Sequence, residues 1–372
     1  MTRITITGDH QTLLTHAALW GTAMILAEDL GTSRVRAGWQ DEDGAAALLN
    51  PQAVIEVDGA TEVEVGRIIQ GLALRVSASE HWAQQVVWRD PKEHAVSLLT
   101  PRTGLPNFKD LSREAPGWWQ RLEDRRTSTA AELTPLEQEM VRGLGERSWW
   151  LSKGSDPWWQ LSDPSKVHPY LGSSPWEMKA RQGGGNFLTG RFLSMAAEVA
   201  RWGPEKILGG LTGKFRNDVV GANKTDSRTA TGFAPLGPCD NALAWCALWV
   251  IAAHQPLHRI QPSNPRGKGL GSPRPSSFTG WVTGAQSEDE KERLLMVMPD
   301  RLISPRRWAR LQRSAPLVRI PVRKDVDQAV SKAARAHLIE EGVGQVVLFE
   351  VARADTKGTQ ERRAETGVVE IL

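Results

Sequence analysis

The run "CDNALAWCALWVIAA", from Cys239 to Ala253, constrains the fold more than any other segment of this chain. It is apolar at nearly every position and has none of the polar stripe that a surface helix presents to water. A helix that is apolar all round must be covered by other elements on every side. The sequence therefore predicts a central buried helix here, with the remaining elements packed around it.

Both cysteines of the chain, Cys239 and Cys246, lie in this run. Two cysteines cannot form a disulfide framework or a zinc site by themselves, so we expect buried free thiols in a reducing compartment. The start, "MTRITITGDHQ", has no apolar signal region, and no run reaches the roughly 18 apolar residues of a membrane span. These features predict a cytoplasmic protein with no membrane partner.

The length of 372 residues favours about two or three domains. The net charge of +3 is too small to indicate nucleic acid by itself, so the distribution of the charges matters more. The 16 tryptophans either stack on bases or fill the core, and we favour the core. We predict an α+β fold with three regions: an α+β unit over 1–100, a Trp-rich helical connector over 101–175, and a basic nucleic-acid-binding α+β region over 176–372.

Region 1–100 has the element order βαββαβ of a ferredoxin-like sandwich. Strands are predicted in "RITITG", "SRVRAGW", "AVIEVDG" and "HAVSLLTP". The first helix is predicted to have Asp9 as its N-cap and Gly31 as its C-cap, and the second to begin with a capping box of Thr61 and Glu64. An RNA-binding face on this fold needs aromatic residues on the central strands, and Trp39 is the main one available.

Region 101–175 is predicted to be mostly helical, and it contains three tryptophan pairs in "PGWWQRLEDR", "RSWWLSKGS" and "DPWWQLSD". These pairs either pack under loops or dock a partner subunit.

In region 176–372 we expect a helix in "NFLTGRFLSMAAEVARWG" and another in "SPRRWARLQRS", with Ser304 as N-cap and Pro305 at its first position. The end is predicted as a small element of strand "LVRIPV", helix "DVDQAVSKAARAHLIEEG" and strand "QVVLFEVARAD". A polar loop, "TKGTQERRAETG", then leads to a last short strand.

Two glycine-rich stretches have part of the spacing of a nucleotide-binding P-loop. In "GNFLTGRF", Arg191 replaces the lysine and Phe192 replaces the hydroxyl that holds Mg²⁺; in "GGLTGKFRND", Phe215 follows Lys214. Such loops still suit the phosphates of a polymer, because glycine lets main-chain amides approach an oxyanion. The alternative is that "GGG" is a flexible turn before a helix.

Basic residues cluster in the same half of the chain, and those of the Pro/Gly-rich segment, Arg266, Lys268 and Arg274, have no neighbouring acids. Arg306, Arg310 and Arg313 recur at the spacing of one helix face. With the glycine loops, these clusters favour nucleic acid as the ligand. The candidate nucleic-acid-binding residues are Lys179, Arg181, Gly183, Gly184, Gly185, Arg191, Lys214, Arg216, Asn223, Lys224, Ser227, Arg228, Arg266, Lys268, Arg306, Arg307, Arg310 and Arg313.

No pattern in the sequence supports catalysis. The eight histidines are scattered, and neither H-E-x-x-H, a zinc-ligand set nor a G-x-S-x-G elbow occurs. We therefore expect no catalytic residue, no metal and no cofactor, and predict that the protein is not an enzyme.

Several segments together resemble the large subunit of type I CRISPR effector (Cascade) complexes, of a U/G-like subtype. They are "HAALWGTAMILAEDLG", "VRAGW", "AVIEVDG", "PWEMKARQGGGNFLTGRF" and "KTDSRTATGFAPLGPCDNALAWCALW". The resemblance implies a non-catalytic subunit near the 5′ end of the guide RNA. Such a subunit recognises the short motif (PAM) flanking the target in duplex DNA, supports strand separation and recruits a separate helicase–nuclease. Its partners would be the guide RNA, the double-stranded target and the other subunits of the complex.

The resemblance also assigns roles to individual residues. The amides of Gly183 to Gly185 and the side chain of Arg191 would hold phosphates. Asn223, Lys224, Ser227 and Arg228 would contact base edges, since Asn and Arg are the natural readers of A and G. Two alternatives stay open: a backbone or guide-RNA-handling subunit of a similar complex, and a metal-independent enzyme that acts on a nucleotide.

Overall fold

A computed structural model describes residues 1–41, 51–84, 128–129, 131–143, 191–254, 293–320, 328–352 and 363–372, and the backbone alone of the remaining strand residues. The fold is α+β, as predicted, with helices packed between small antiparallel sheets. The boundaries predicted near 100 and 175 lie outside the described residues.

The N-terminal sheet contains β1 (Thr2–Ile6), β2 (Val35–Gln40) and β3 (Gln52–Val57) in the order β1-β3-β2. β3 lies between the other two strands and is antiparallel to both. This is the arrangement of the first three strands of a ferredoxin-like sandwich. The strand predicted in "HAVSLLTP" is β5 (Ala95–Ser97), but it pairs with β4 (Val86–Arg89) as a separate hairpin and not with this sheet.

The first helix packs on the N-terminal sheet, and the second helix packs beside the first. α1 (Leu13–Leu30) ends at Gly31 as predicted, and α2 (Glu62–Ser77) begins with the predicted capping box of Thr61 and Glu64. The prediction of Asp9 as the N-cap of α1 is wrong, because α1 begins after Thr12. The Asp9 carboxylate instead accepts a hydrogen bond from the Gln11 amide, which closes the turn before the helix.

Region 101–175 is not uniformly helical. The structure describes α3 (Pro135–Gly143), which packs on the 249–253 segment. It also places Trp159 in a strand, because β6 (Trp159–Asp163) and β7 (Lys166–Pro169) form a hairpin. The prediction of helix is therefore wrong over this hairpin, and the contacts of the tryptophan pairs lie outside the described residues.

The central buried helix is confirmed. It consists of α6 (Asn241–Leu248) followed by a 3-10 segment (Trp249–Ala253), and every one of its side chains is buried. It packs against α1, α4 (Leu193–Val199) and α5 (Pro204–Leu211). Cys239 and Cys246 are free and buried, as predicted, and burial raises the pKa of each thiol to about 12.

The C-terminal sheet is larger than the sequence indicated. Its strands are β10 (Trp281–Val282), β11 (Glu292–Pro299), β12 (Val343–Thr356), β13 (Thr359–Ala364) and β14 (Val368–Ile371). The order is β10-β11-β12-β13, and β14 also pairs with β12. The predicted loop "TKGTQERRAETG" is therefore wrong over 359–364, which pairs along β12 as a strand.

Two helices pack beside this sheet, α7 (Pro305–Gln312) and α8 (Gln328–Glu340). α7 has the predicted Ser304 cap and Pro305 at its start. The strand predicted in "LVRIPV" is wrong over 317–319, which forms a 3-10 turn. A short antiparallel pair of β8 (Pro256–Leu257) and β9 (Ser277–Phe278) completes the described strands.

The described elements share one hydrophobic core. Trp20 of α1 stacks on Trp308 of α7, with ring centroids 4.4 Å apart and an angle of 8° between the planes. Ala37 of β2 also pairs with Ile303 just before α7. All the tryptophans whose side chains the structure describes are buried, which confirms the core interpretation for them; they are Trp20, Trp39, Trp82, Trp202, Trp245, Trp249 and Trp308.

Candidate nucleic-acid interface

The segment between α5 and α6, residues 212–240, carries the largest group of candidate residues that the structure describes. We call it the 212–240 loop. It begins beside the end of β1, where the Thr7 amide donates to the Leu211 carbonyl over 2.8 Å. Its later part lies beside the start of α1, where the Leu14 amide donates to the Phe233 carbonyl over 2.9 Å. The loop is therefore anchored to the N-terminal unit at two points.

A buried carboxylate organises the interior of the loop. Asp218 is fully buried, and its carboxylate accepts hydrogen bonds from the Thr229 hydroxyl at 2.7 Å, the Gly221 amide at 2.9 Å and the Asn241 side chain at 3.1 Å. Burial raises the pKa of Asp218, but the donors around it, among them Ser227 and Thr229, outweigh burial and hold this pKa below its ordinary value. The carboxylate thus stays ionised inside the loop.

Asp240 fixes the other end of the loop. Its side chain caps α6 by accepting from the Ala242 and Leu243 amides, and it also accepts from the Asn217 amide at 2.9 Å. Burial raises the pKa of Asp240 above its ordinary value despite these donors. Both carboxylates are engaged by hydrogen bonds inside the protein, so neither contributes an exposed negative charge.

The cations of the loop, in contrast, lie at its surface. Lys214, Arg216, Lys224 and Arg228 are all exposed, and the neighbouring exposed acid is Asp226. The fold therefore separates the charges of this segment: the acids Asp218 and Asp240 are inside, and the basic side chains are outside.

Two candidates for base contacts have structural roles in the loop. Ser227 is buried, and its hydroxyl donates to Thr229 over 3.1 Å, so this side chain is not at the surface. Asn223 is exposed, but its side-chain oxygen accepts from the Asp218 amide at 3.0 Å. Its φ of 52° lies in the left-handed region, which Asn tolerates better than most residues. Asn223 therefore shapes the turn that presents Lys224.

The arginines of α7 do not form the free cationic face that their spacing suggested. Arg307 donates to the Glu341 carbonyl over 2.9 Å, and Arg310 pairs with the Glu341 carboxylate at 3.1 Å. Arg313 donates to the carbonyls of Ala252 and Ala253 and pairs with Glu139 at 2.7 Å. Arg306 is exposed. Three of these four arginines therefore bind groups of the protein outside α7.

The other candidates divide into two groups. Arg191 lies in the turn that precedes α4, where it is partly buried and takes part in an interaction within the protein. Lys179, Arg181, Gly183, Gly184, Gly185, Arg266 and Lys268 lie outside the described residues. Trp39 is 1% exposed and packs on the His16 ring at 4.5 Å, so it offers no stacking surface on the N-terminal sheet.

Sequence reasoning missed one buried ionisable pair. The His81 ring lies 2.9 Å from the Glu137 carboxylate, and both side chains are almost fully buried. The two residues join the end of α2 to the start of α3, where Glu137 also forms a capping box with Thr134. The "TPLE" spacing of that box was a local signal for Glu137, but no local signal pairs it with a histidine 56 residues earlier.

Comparisons with known proteins add no family: no family model matches the chain, and no curated protein matches it. Among the described residues, no group of three or more His, Cys, Asp or Glu side chains is arranged to hold a metal ion. Within the part of the chain that the structure covers, none of the helices combines the length and apolarity that crossing a bilayer requires.

Proposed function

We propose that this chain is a non-catalytic nucleic-acid-binding subunit of a type I CRISPR effector complex, in the position of the large subunit. In that role it would recognise the motif flanking the target in duplex DNA, support strand separation and recruit a separate helicase–nuclease. Membership in the complex is supported by the resemblance of the segments quoted above. Nucleic-acid binding has additional support in the 212–240 loop.

The observation that carries the proposal is the separation of charges in this loop. Its exposed Lys214, Arg216 and Lys224 are presented on a backbone that the buried Asp218 and Asp240 hold in place. A backbone that is already fixed loses little conformational freedom when the loop binds a polyanion, and each neutralised phosphate releases condensed counterions. The loop is therefore the part of the described surface best suited to phosphates.

The test measures the affinity of the full chain for duplex DNA across a series of salt concentrations. The triple variant Lys214→Ala, Arg216→Ala, Lys224→Ala should bind more weakly. Its plot of log affinity against log salt should be shallower by about 0.9 for each phosphate that the variant no longer neutralises. The matched control removes three exposed cations elsewhere: Arg67→Ala, Arg319→Ala, Lys332→Ala.

If the two triple variants show the same decrease in affinity and in salt slope, binding is a property of net charge and the loop is not the interface. If the loop variant binds like the wild type while the control weakens, the interface lies elsewhere. Circular dichroism of both variants should match the wild type, because none of the six side chains is buried.

Membership in a complex needs a separate measurement. Native mass spectrometry of the assembly purified through this chain should show one copy of it together with a guide RNA. Several copies per assembly would instead support the alternative of a backbone subunit. Recovery of the chain without RNA or other subunits would contradict membership while leaving the binding proposal intact.

A further inference from the structure

Phe215 differs from the other aromatic side chains that the structure describes. It is 44% exposed, whereas Phe192, Phe233 and Phe349 are buried, as are all the described tryptophans. An exposed ring leaves apolar surface in contact with water, which costs free energy unless a ligand covers it. Phe215 lies in the 212–240 loop, directly between the cations Lys214 and Arg216.

The ring is held in a fixed position. The Phe215 amide donates to the Gly209 carbonyl over 2.9 Å, which ties the residue to the end of α5. Gly209 has no side chain, and a methyl group there would overlap the edge of the Phe215 ring. The ring therefore rests against the helix backbone on one side, and 44% of the residue stays exposed to solvent.

The surroundings of the ring are cationic. Lys214 Nζ lies 5.6 Å from the centre of the ring, and Arg216 and Lys224 are exposed in the same loop. The nearest acid in sequence, Asp218, is buried and hydrogen-bonded within the protein, as is Asp240, whereas Glu205 and Asp226, ten and eleven residues from Phe215, are exposed. A ligand that complements this site is an anion with a flat apolar face.

We propose that Phe215 is a stacking platform for an unpaired base of a single-stranded nucleic acid, whose phosphates bind Lys214 and Arg216. This inference rests on the proposed binding of nucleic acid and adds the strand type to it. Only an unpaired base can offer its whole face to a protein ring, because both faces are stacked in a duplex. Sites for single strands combine these two elements, an aromatic ring and flanking cations.

An acidic protein segment is the competing ligand, since Val219 and Leu236 are also exposed in the loop. The charges favour the nucleic acid, because the exposed Lys214 and Arg216 directly precede and follow Phe215 in the chain, and each can bind a phosphate of the strand. A peptide would neutralise them only with acids placed at the same spacing.

The test compares two strands that carry the same phosphates. One is a thymidine oligonucleotide of about 12 nucleotides, and the other has the same length with abasic sugars throughout. The full chain should bind the thymidine strand about tenfold more tightly than the abasic strand, the effect expected of one stacked base. Phe215→Leu should remove this ratio, and Phe215→Trp should keep it because the ring is retained.

The two proposals fail in different ways. Equal, salt-dependent affinity of the wild type for both strands would overturn the stacking platform but leave nucleic-acid binding standing. Failure to bind either strand or duplex DNA would overturn both. A thymidine–adenine duplex bound as tightly as the single strand, or a poly-glutamate peptide that displaces the strand equally from the wild type and Phe215→Leu, would also overturn the platform.

Discussion

Gly21 allows α1 to approach the central helix α6 closely. A methyl group at this position would overlap the Cys246 carbonyl oxygen, which is main chain and cannot move without shifting the helix. We expect Gly21→Ala to lower the free energy of unfolding by about 3 kcal/mol. Gly71→Ala in α2 is the control. It meets no atom within 4 Å and should stabilise the protein by about 0.5–1 kcal/mol through helix propensity.

Urea denaturation of the two variants measures both effects. Equal midpoints for Gly21→Ala and the wild type would mean that the two helices separate easily, which contradicts the close crossing. A loss of stability in Gly71→Ala would contradict the expected gain from helix propensity, and Gly71→Ala would then not serve as a control.

The buried pair of His81 and Glu137 predicts a dependence of stability on pH. Burial raises the pKa of Glu137, but the hydrogen bonds from His81 and from the Thr134 amide outweigh it and hold the pKa below 4.5. Because the folded-state pKa is depressed, the carboxylate stabilises the fold above the unfolded-state pKa. This stabilisation is lost as the pH falls through the folded-state pKa.

Glu137→Gln should therefore be less stable than the wild type by about 2 kcal/mol at about pH 7, and this difference should shrink well below pH 4.5. Glu132→Gln is the control, since Glu132 is exposed just before α3. Thermal unfolding at a series of pH values gives both curves. A difference between wild type and Glu137→Gln that stays constant down to acid pH would mean that the carboxylate charge does not matter.

At the scale of elements, α7 is fastened to the end of the central helical segment by one guanidinium. Arg313 donates to the Ala252 and Ala253 carbonyls and pairs with Glu139 on α3. Arg313→Met keeps much of the apolar stem but leaves buried carbonyls without this donor, so we expect a loss of about 2 kcal/mol. Arg306→Met on the same helix is exposed and should change stability by less than about 0.5 kcal/mol.

Differential scanning calorimetry distinguishes these outcomes. If Arg306→Met costs as much as Arg313→Met, the loss reflects helix charge in general and not the hydrogen bonds of Arg313. Salt should have little influence on the Arg313 effect, since two of its partners are main-chain carbonyls.

The helices whose starts were predicted correctly are marked by capping residues that lie next to them in the sequence. The Thr61–Glu64 capping box and the Ser304–Pro305 start lie within a few residues of the helices they begin, and both are present. The secondary-structure predictions were wrong where contacts with segments distant in sequence determine the conformation. The polar segment 359–364 has no strand signal of its own and becomes a strand because β12 offers an edge to pair with. The 3-10 turn at 317–319 replaces a strand that its apolar pattern alone favoured.

At the scale of the whole molecule, contacts between residues distant in sequence also determine the candidate site, and the sequence pattern did not predict them. The positions of the basic residues in the sequence predicted that cations cluster in the second half of the chain, and the 212–240 loop does expose several of them. It could not predict that Arg310 and Arg313 of α7 meet Glu341 and Glu139, which are distant in sequence. Nor could it predict that Asp218 turns inward, since its donors come from three separate positions between 221 and 241.

The shared core predicts how the described parts unfold. The Trp20–Trp308 stack joins α1 to α7, and the Ala37–Ile303 bridge joins β2 to the segment just before α7. α7 in turn packs on β11. Amides of β3 and of β11 should therefore exchange with solvent at one common opening free energy. In Gly21→Ala both sets should lose protection by the same amount, because the substitution strains the core that both sheets share. Native-state hydrogen exchange with mass spectrometry measures the two sets separately. Loss of protection in β3 with unchanged protection in β11 would show that the two sheets are independent cooperative units.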